Sequence, residues 1–182
     1  MATPTEDLKN EHGVIIMMLR VMAKASDELR DGREIDPELW KGASDFLQNF
    51  VDRCHHTKEE KHLFPAMIER GVSGEVGPIA VMMREHEDGR AHAKRLRALS
   101  TAAPSRKNNQ VISKTVRAYV DLLSMHISKE NGVLFPLADQ VLTSEDQKEL
   151  EQKFDQVEKI VMGPGVHEKY HRMIEAWTVR YG

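Results

Sequence analysis

The chain is short of the residues on which several architectures depend. Cys54 is the single cysteine in 182 residues, which excludes a disulfide framework and any multi-cysteine zinc site and fits a reducing compartment. No apolar run is long enough to span a bilayer. The stretch over residues 14–19 stops at Arg20, and residues 1–12 are polar and acidic without the apolar core of a signal peptide, so a cytoplasmic chain is expected. Charge of one sign is not in excess either: 26 Lys+Arg stand against 29 Asp+Glu, a net charge of -3. The two signs are interspersed, which argues against nucleic acid or an anionic membrane as the main partner. Period-two alternation is missing, so strands are not expected. What is abundant is histidine, with nine residues.

Apolar residues recur at helical spacing along almost the whole chain, which reads as all-α. Thr5 is the expected cap of a first helix running to about Arg30, with Glu6 and Asp7 in its first turn. Asp36-Pro37 opens a second helix that continues to Phe64 or a turn beyond, and Gly71, Gly74 and Gly77 break the chain after it. Pro78 starts a third helix ending near Leu99. A loop over residues 103–109 precedes a fourth helix reaching Phe135, where Pro136 is expected to end or kink it. Thr143-Ser144 with Gln147 reads as a capping box for a fifth helix through Val161. A break at residues 162–165 then leads to a last helix carrying His167 and His171. Long helices joined by short loops most simply form an up-down-up-down antiparallel four-helix bundle. The expected organisation is a bundle over residues 1–142 and a C-terminal helical extension over 143–182 packed on it, as a monomer or homodimer. The Met17-Met18 and Met82-Met83 pairs are expected in the core.

The chain repeats itself. Residues 55–65, HHTKEEKHLFP, lie on residues 126–136, HISKENGVLFP, without a gap, and His, Lys, Glu, Leu, Phe and Pro coincide. Upstream, Glu11-His12 and Glu85-His86 precede the two segments at similar distances. Two copies of one helical hairpin result. Spacing by four puts His55 with Glu59, and His126 with Glu130, on one helix face. Counting residues from the helix ends at 1.5 Å each places His12, His55, His86 and His126 all roughly 10–14 Å from the same end of the bundle. Register selects Glu59 over Glu60, which lies about 100° away around the helix, and His55 over His56. His62 and His92, without repeat partners, read as ordinary surface or hydrogen-bonded residues. The charge run from Lys58 to Lys61 reads as a solvated face, and Cys54 as a small buried hydrophobe.

Four imidazoles and two carboxylates without thiolates suit iron, manganese or zinc, and two carboxylates among four histidines suit a pair of metals, iron foremost. About two histidines and two bridging oxygens per metal leave open positions, which signal reactivity. A ferritin-like carboxylate bundle, an iron oxidase or store, is the alternative. It would use Glu59-x-x-His62 and Glu168-x-x-His171 but leaves the Leu-Phe-Pro repeat unexplained.

His12, His55-x-x-x-Glu59, His86 and His126-x-x-x-Glu130, with both Leu-Phe-Pro segments, resemble the bacterial hemerythrin-like (HHE cation-binding) family over about residues 6–140. The resemblance implies a four-helix bundle holding a non-haem di-iron centre of two oxo- or hydroxo-bridged iron ions. It implies Glu59 and Glu130 as bridging carboxylates and His12, His55, His86 and His126 as terminal ligands. It implies a protein that binds or reduces oxygen, nitric oxide or peroxide, possible reductive enzymes included. The oxygen-carrying hemerythrins of invertebrates have a further histidine one turn after the third-helix ligand and an aspartate bridge on the fourth helix. Here Arg90 and Glu130 stand there, which speaks against simple reversible oxygen carriage. The fifth histidine is then expected from the tail, His167 first, with His171 and Tyr170 behind it. Arg90 is expected to flank the open site.

Overall fold

The computed structural model describes residues 3–101 and 105–181. Four long helices form an up-down-up-down antiparallel bundle and two more pack on it; no strand occurs among the described residues. Helix α1 is Pro4–Arg30. Helix α2 is continuous from Pro37 to Glu69 and alternates α-helical turns with the wider π turns Leu47–His56 and Glu59–Leu63. Helix α3 is Pro78–Ser100. Helix α4 runs as Arg106–Lys129, the π turn Glu130–Leu134, and Phe135–Val141. Helix α5 is Ser144–Val157 ending in the π turn Glu158–Met162, and α6 is Val166–Tyr181.

Several boundaries differ from the sequence reading. Helix α1 is capped by Thr3, not Thr5, because Thr3 and Glu6 complete a capping box that satisfies two terminal N–H groups at once. The box that opens α5 pairs Thr143 with Asp146 rather than with Gln147. Asp36 caps α2 as expected. Part of the loop read over residues 103–109 is helix, since Ser105 caps α4 at Asn108; Ala103 and Pro104 lie outside the described residues.

Neither Pro65 nor Pro136 ends its helix. In both repeats a π turn begins at the motif glutamate and closes when the Phe amide reaches back five residues, Phe64 to Glu59 and Phe135 to Glu130. The following α segment restarts at that phenylalanine with the proline in its first turn. A missing N–H costs nothing in a first turn. The Glu-to-Pro spacing of the motif therefore encodes a π turn and its exit, and such turns concentrate at functional positions.

Two apolar cores result, one built around Met22, Phe46, Phe50 and Val116, the other around Leu8, Phe64, Met67, Phe135 and Phe154. The polar layer bearing the repeated histidines is the seam between them. Met18 and Met82 are buried, whereas Met17 and Met83 are 37% exposed: adjacent helical positions differ by about 100°, so only one of each pair faces inward. The C-terminal helices add Val157, Met162, Tyr170, Ile174 and Tyr181 to the larger core.

Gly42 marks how closely α6 lies on α2. A β-carbon there would stand 2.4 Å from Trp177 Cη2 and 3.1 Å from Met173 Sδ. Gly42→Ala is expected to push the half-buried indole off its seat at a cost of about 1–3 kcal/mol. Alanine's better helix propensity offsets about 1 kcal/mol of that. A red shift in tryptophan emission against the buried Trp40 checks this, and an unchanged spectrum would contradict the contact.

Candidate metal centre

Each motif glutamate begins a π turn, and that turn carries its carboxylate into the bundle centre, where Glu59 and Glu130 are both 0% exposed. The four repeated histidines meet them there. His12 Nε2 lies 3.0 Å from His55 Nε2, and His86 Nε2 lies 3.1 Å from His126 Nε2. Helix α1 thus supplies His12, α2 His55 and Glu59, α3 His86, and α4 His126 and Glu130.

The glutamates span the two histidine pairs. Glu59 places Oε1 3.6 Å from His55 Nε2 and Oε2 3.4 Å from His86 Nε2. Glu130 places Oε2 3.2 Å from His12 Nε2 and Oε1 3.1 Å from His126 Nε2 and 3.8 Å from His86 Nε2. All four carboxylate oxygens are buried without a hydrogen-bond partner among the described residues. Buried carboxylate oxygens are costly to leave uncompensated, and these four face the imidazole nitrogens in a group that could hold a cation.

The outer nitrogens of the imidazoles are held in a pattern that follows the repeat. His55 Nδ1 donates to Glu11 Oε2 at 2.7 Å, and His126 Nδ1 to Glu85 Oε2 at 2.9 Å. His86 Nδ1 donates to Glu60 Oε1 at 2.6 Å, and His12 Nδ1 to Asn131 Oδ1 at 2.8 Å. Glu60 and Asn131 occupy the same repeat position, and each orients the Glu-His histidine of the other repeat. The phenylalanines cross over likewise: Phe64 stacks on His86 and Phe135 on His12. A carboxylate can only accept, so Nδ1 carries the proton and the Nε2 lone pairs converge inward, the arrangement of metal-ligating histidines. Two nitrogens each about 2.1 Å from one ion and at right angles would be about 3.0 Å apart, which the Nε2 pairs match. The donor set therefore fits a pair of cations.

Taken as protein alone, these donors draw protons in place of cations. Burial opposes charge on His86, but the nearby Glu130 and Glu59 carboxylates and the hydrogen bond to Glu60 prevail and push it up to about 11. Burial likewise opposes His12, which Glu130 nonetheless raises. Burial would raise Glu130, yet contacts with His12, His126 and His86 hold it well below the usual carboxylate range. A cation entering this layer displaces protons.

The residues gathered here are His12, His55, Glu59, His86, His126 and Glu130. His167 does not join them. Its Nε2 lies 2.7 Å from Glu158 Oε2, in a separate group with Glu11 and Cys54. Instead His56, set aside on register, is 4% exposed, stacks on His86 with ring centroids 3.8 Å apart, and forms a three-histidine group with His86 and His126. It lies in the π turns of α2, whose wider winding lets consecutive residues both face the centre. Burial and the neighbouring His86 charge drive its pKa well below the usual imidazole value, leaving it neutral. An irregular turn of this kind is not visible in hydrophobic periodicity.

Arg90 and Lys58 also differ from expectation. The three guanidinium nitrogens of Arg90 donate to Asp52, Glu60 and Glu87 at 2.6–2.7 Å. Arg90 thus braces the Glu60 that orients His86, each of its three nitrogens already bonded to a carboxylate. Lys58 is 1% exposed rather than solvated, and bonds Asp7, Glu11 and Glu158. The Glu-x-x-His pairs of a ferritin-like site are not assembled: His62 points away beside Lys61 and Glu149, and Glu168 and His171 are exposed. Cys54 is buried as expected, its thiol donating to Glu158 and pushed up by that burial and the adjacent carboxylates.

No helix among the described residues is long and apolar enough to cross a membrane. The sequence matches the hemerythrin HHE cation binding domain over residues 3–138. An uncharacterized protein of Mycobacterium tuberculosis (strain ATCC 25618 / H37Rv) is 25% identical over 159 residues, 86% of this chain and 61% of that protein, and one of Mycobacterium bovis matches equally. The iron-sulfur cluster repair protein YtfE of Citrobacter koseri is 33% identical over 109 residues, 56% of this chain and 49% of that protein. The chain thus spans about three fifths and about half of the length of these curated relatives. With the domain match covering most of the bundle and the paired histidines and glutamates meeting at its centre, the chain belongs to the hemerythrin HHE cation-binding family.

Proposed function

We propose that the protein is a non-haem di-iron protein that binds or reduces a small ligand such as oxygen, nitric oxide or peroxide, acting in the cytoplasm. The observation that carries this reading is the span of the two carboxylates. Each of Glu59 and Glu130 offers one oxygen to the His12/His55 pair and the other to the His86/His126 pair. One ion would use only half of that set. Mixed imidazole and carboxylate donors without thiolate favour iron among the available metals. His12 and His55 would serve one ion, His86 and His126 with His56 the other, and Glu59 and Glu130 both. Bound iron would supply redox chemistry and open coordination positions to a small molecule.

The protein's own part is to hold the ligands and to limit access. A cleft of about 220 Å³, lined by Leu47, Val51, His56, Gly89, Arg90 and Tyr119, reaches in beside the three-histidine group. Apolar Leu47, Val51, Ala93 and Tyr119 share its lining with Gln48, Asp52, Arg90, Lys94 and Arg97, and it offers a small molecule a way in beside His56. The YtfE relatives are named iron-sulfur cluster repair proteins, and the 109 residues shared with one of them support iron handling here.

Metal analysis of the protein, reconstituted anaerobically with ferrous iron, tests the reading. Two irons per chain are expected, with an oxo-bridge absorption on exposure to air. One iron or none would overturn it, and many irons per assembly would favour storage.

A further inference from the structure

The repeat builds the same three-residue chain on each side of the centre. Lys58 bonds Glu11, which orients His55; Lys129 bonds Glu85, which orients His126. The two chains are not electrically alike. Lys129 is 38% exposed and has Glu85 as its carboxylate partner. Lys58 is enclosed and divides its single charge among Glu11 at 2.5 Å, Glu158 at 2.6 Å and Asp7 at 3.1 Å. Glu158 comes from the π turn that ends α5, and its other oxygen lies 2.7 Å from His167 Nε2 of α6.

We propose that Glu158 and Lys58 are positioning residues through which the C-terminal helices act on His55 and make the two halves of the centre unequal. The inference rests on the two-metal reading above. Where one ammonium faces three carboxylates, Glu11 keeps more of its negative charge than Glu85, which has Lys129 to itself. A more negative Glu11 pulls harder on the His55 Nδ1–H, which makes Nε2 a stronger donor. The His12/His55 half should then hold its cation more tightly than its own two imidazoles would achieve. Burial amplifies the difference, because charges are screened less around Lys58 than around the exposed Lys129.

The chain assigns distinct parts to the groups in it. Glu158 fixes Lys58 from outside, Lys58 fixes Glu11, and Glu11 fixes the imidazole. Cys54, whose thiol donates to Glu158 at 3.3 Å, and His167 hold the Glu158 carboxylate in place. The tail thereby contributes to the centre without supplying a ligand.

Glu158→Gln tests this. It keeps the shape and a hydrogen bond to Lys58, removes one charge, and lies at a partly exposed position where folding should survive. Ferrous iron is titrated anaerobically into metal-free wild type, Glu158→Gln, Glu158→Asp and Lys129→Met, and the two stepwise constants are resolved by chelator competition. Glu158→Gln should weaken one step about 10-fold, the lower end for loss of an outer partner of a metal-binding histidine, and leave the other within about 2-fold. Glu158→Asp should recover most of the loss, and Lys129→Met should move the other step. A purely structural role would shift both steps together or neither, and either result overturns the proposal. Wild type taking up two irons with unaltered steps in Glu158→Gln would sink this inference alone. Wild type that fails to take up two would sink the two-metal reading, and this inference with it.

Discussion

Glu130→Ala is expected to remove both metal ions, not one. Its two oxygens face different histidine pairs, so its loss opens both halves of the centre at once. Loss of an outer partner typically costs 10–100-fold in metal affinity, and a ligand shared by two ions should exceed the upper figure, about 100-fold, at each. Without metal the variant also breaks a buried contact with His12, His86 and His126, and removing one member of such a pair costs about 3–5 kcal/mol. Glu130→Gln separates the two effects: it fills the same space but neutralises the charge, so metal should still be lost while packing is kept. Glu60→Ala is the comparison, since among the six donors Glu60 touches the outer nitrogen of His86 alone and should weaken one ion. Iron per chain and thermal unfolding of the metal-free proteins measure these outcomes. Full iron occupancy in Glu130→Ala would remove this residue from the centre.

That this residue could be named before any coordinates reflects what a repeat conveys. Periodicity identifies helices, and caps such as Asp36 and Pro78 locate their starts, because both depend on local chemistry. The doubled His-x-x-x-Glu then aligns ligands from helices far apart in sequence, since two copies of one hairpin must pair about a common axis. Even the outer partners were present in that alignment: Glu11 with Glu85, Lys58 with Lys129, Glu60 with Asn131. Lys58 reads as part of a solvated face because composition carries no record of burial, and the carboxylates that enclose it come from α1 and the distant α5.

What stayed illegible depended on departures from regular geometry. An α-helix rotates about 100° per residue, so His55 and His56 appear as alternatives, and Pro136 appears as the end or kink of its helix. The π turns remove both conflicts: they bring adjacent residues to one face and leave the proline in a fresh first turn. The partners of Arg90, which lines the cleft beside His56, were not legible for a different reason: Asp52 and Glu60 come from α2, and Glu87 alone from its own helix.

The source of a fifth histidine is the point at which tail and bundle give opposite results. His56 lies in a group with His86 and His126 and is neutral, hence able to donate a lone pair. His167 is already engaged with Glu158 outside the centre. His56→Ala should therefore lower the affinity for one of the two ions by at least about 10–100-fold, taking the cost of an outer partner as the floor for a ligand, and change the optical spectrum of the oxidised protein. His56→Phe keeps an aromatic face against His86 but has no ring nitrogen, so it should lose the ion as well; retention there would mean that His56 contributes stacking alone. His167→Ala should keep both irons and the spectrum, with a loss below about 10-fold in one step because it acts only through Glu158. If His167→Ala loses an ion while both His56 variants hold two, the tail enters the centre when metal binds, and the five-histidine set is completed from α6 rather than from the π turns of α2.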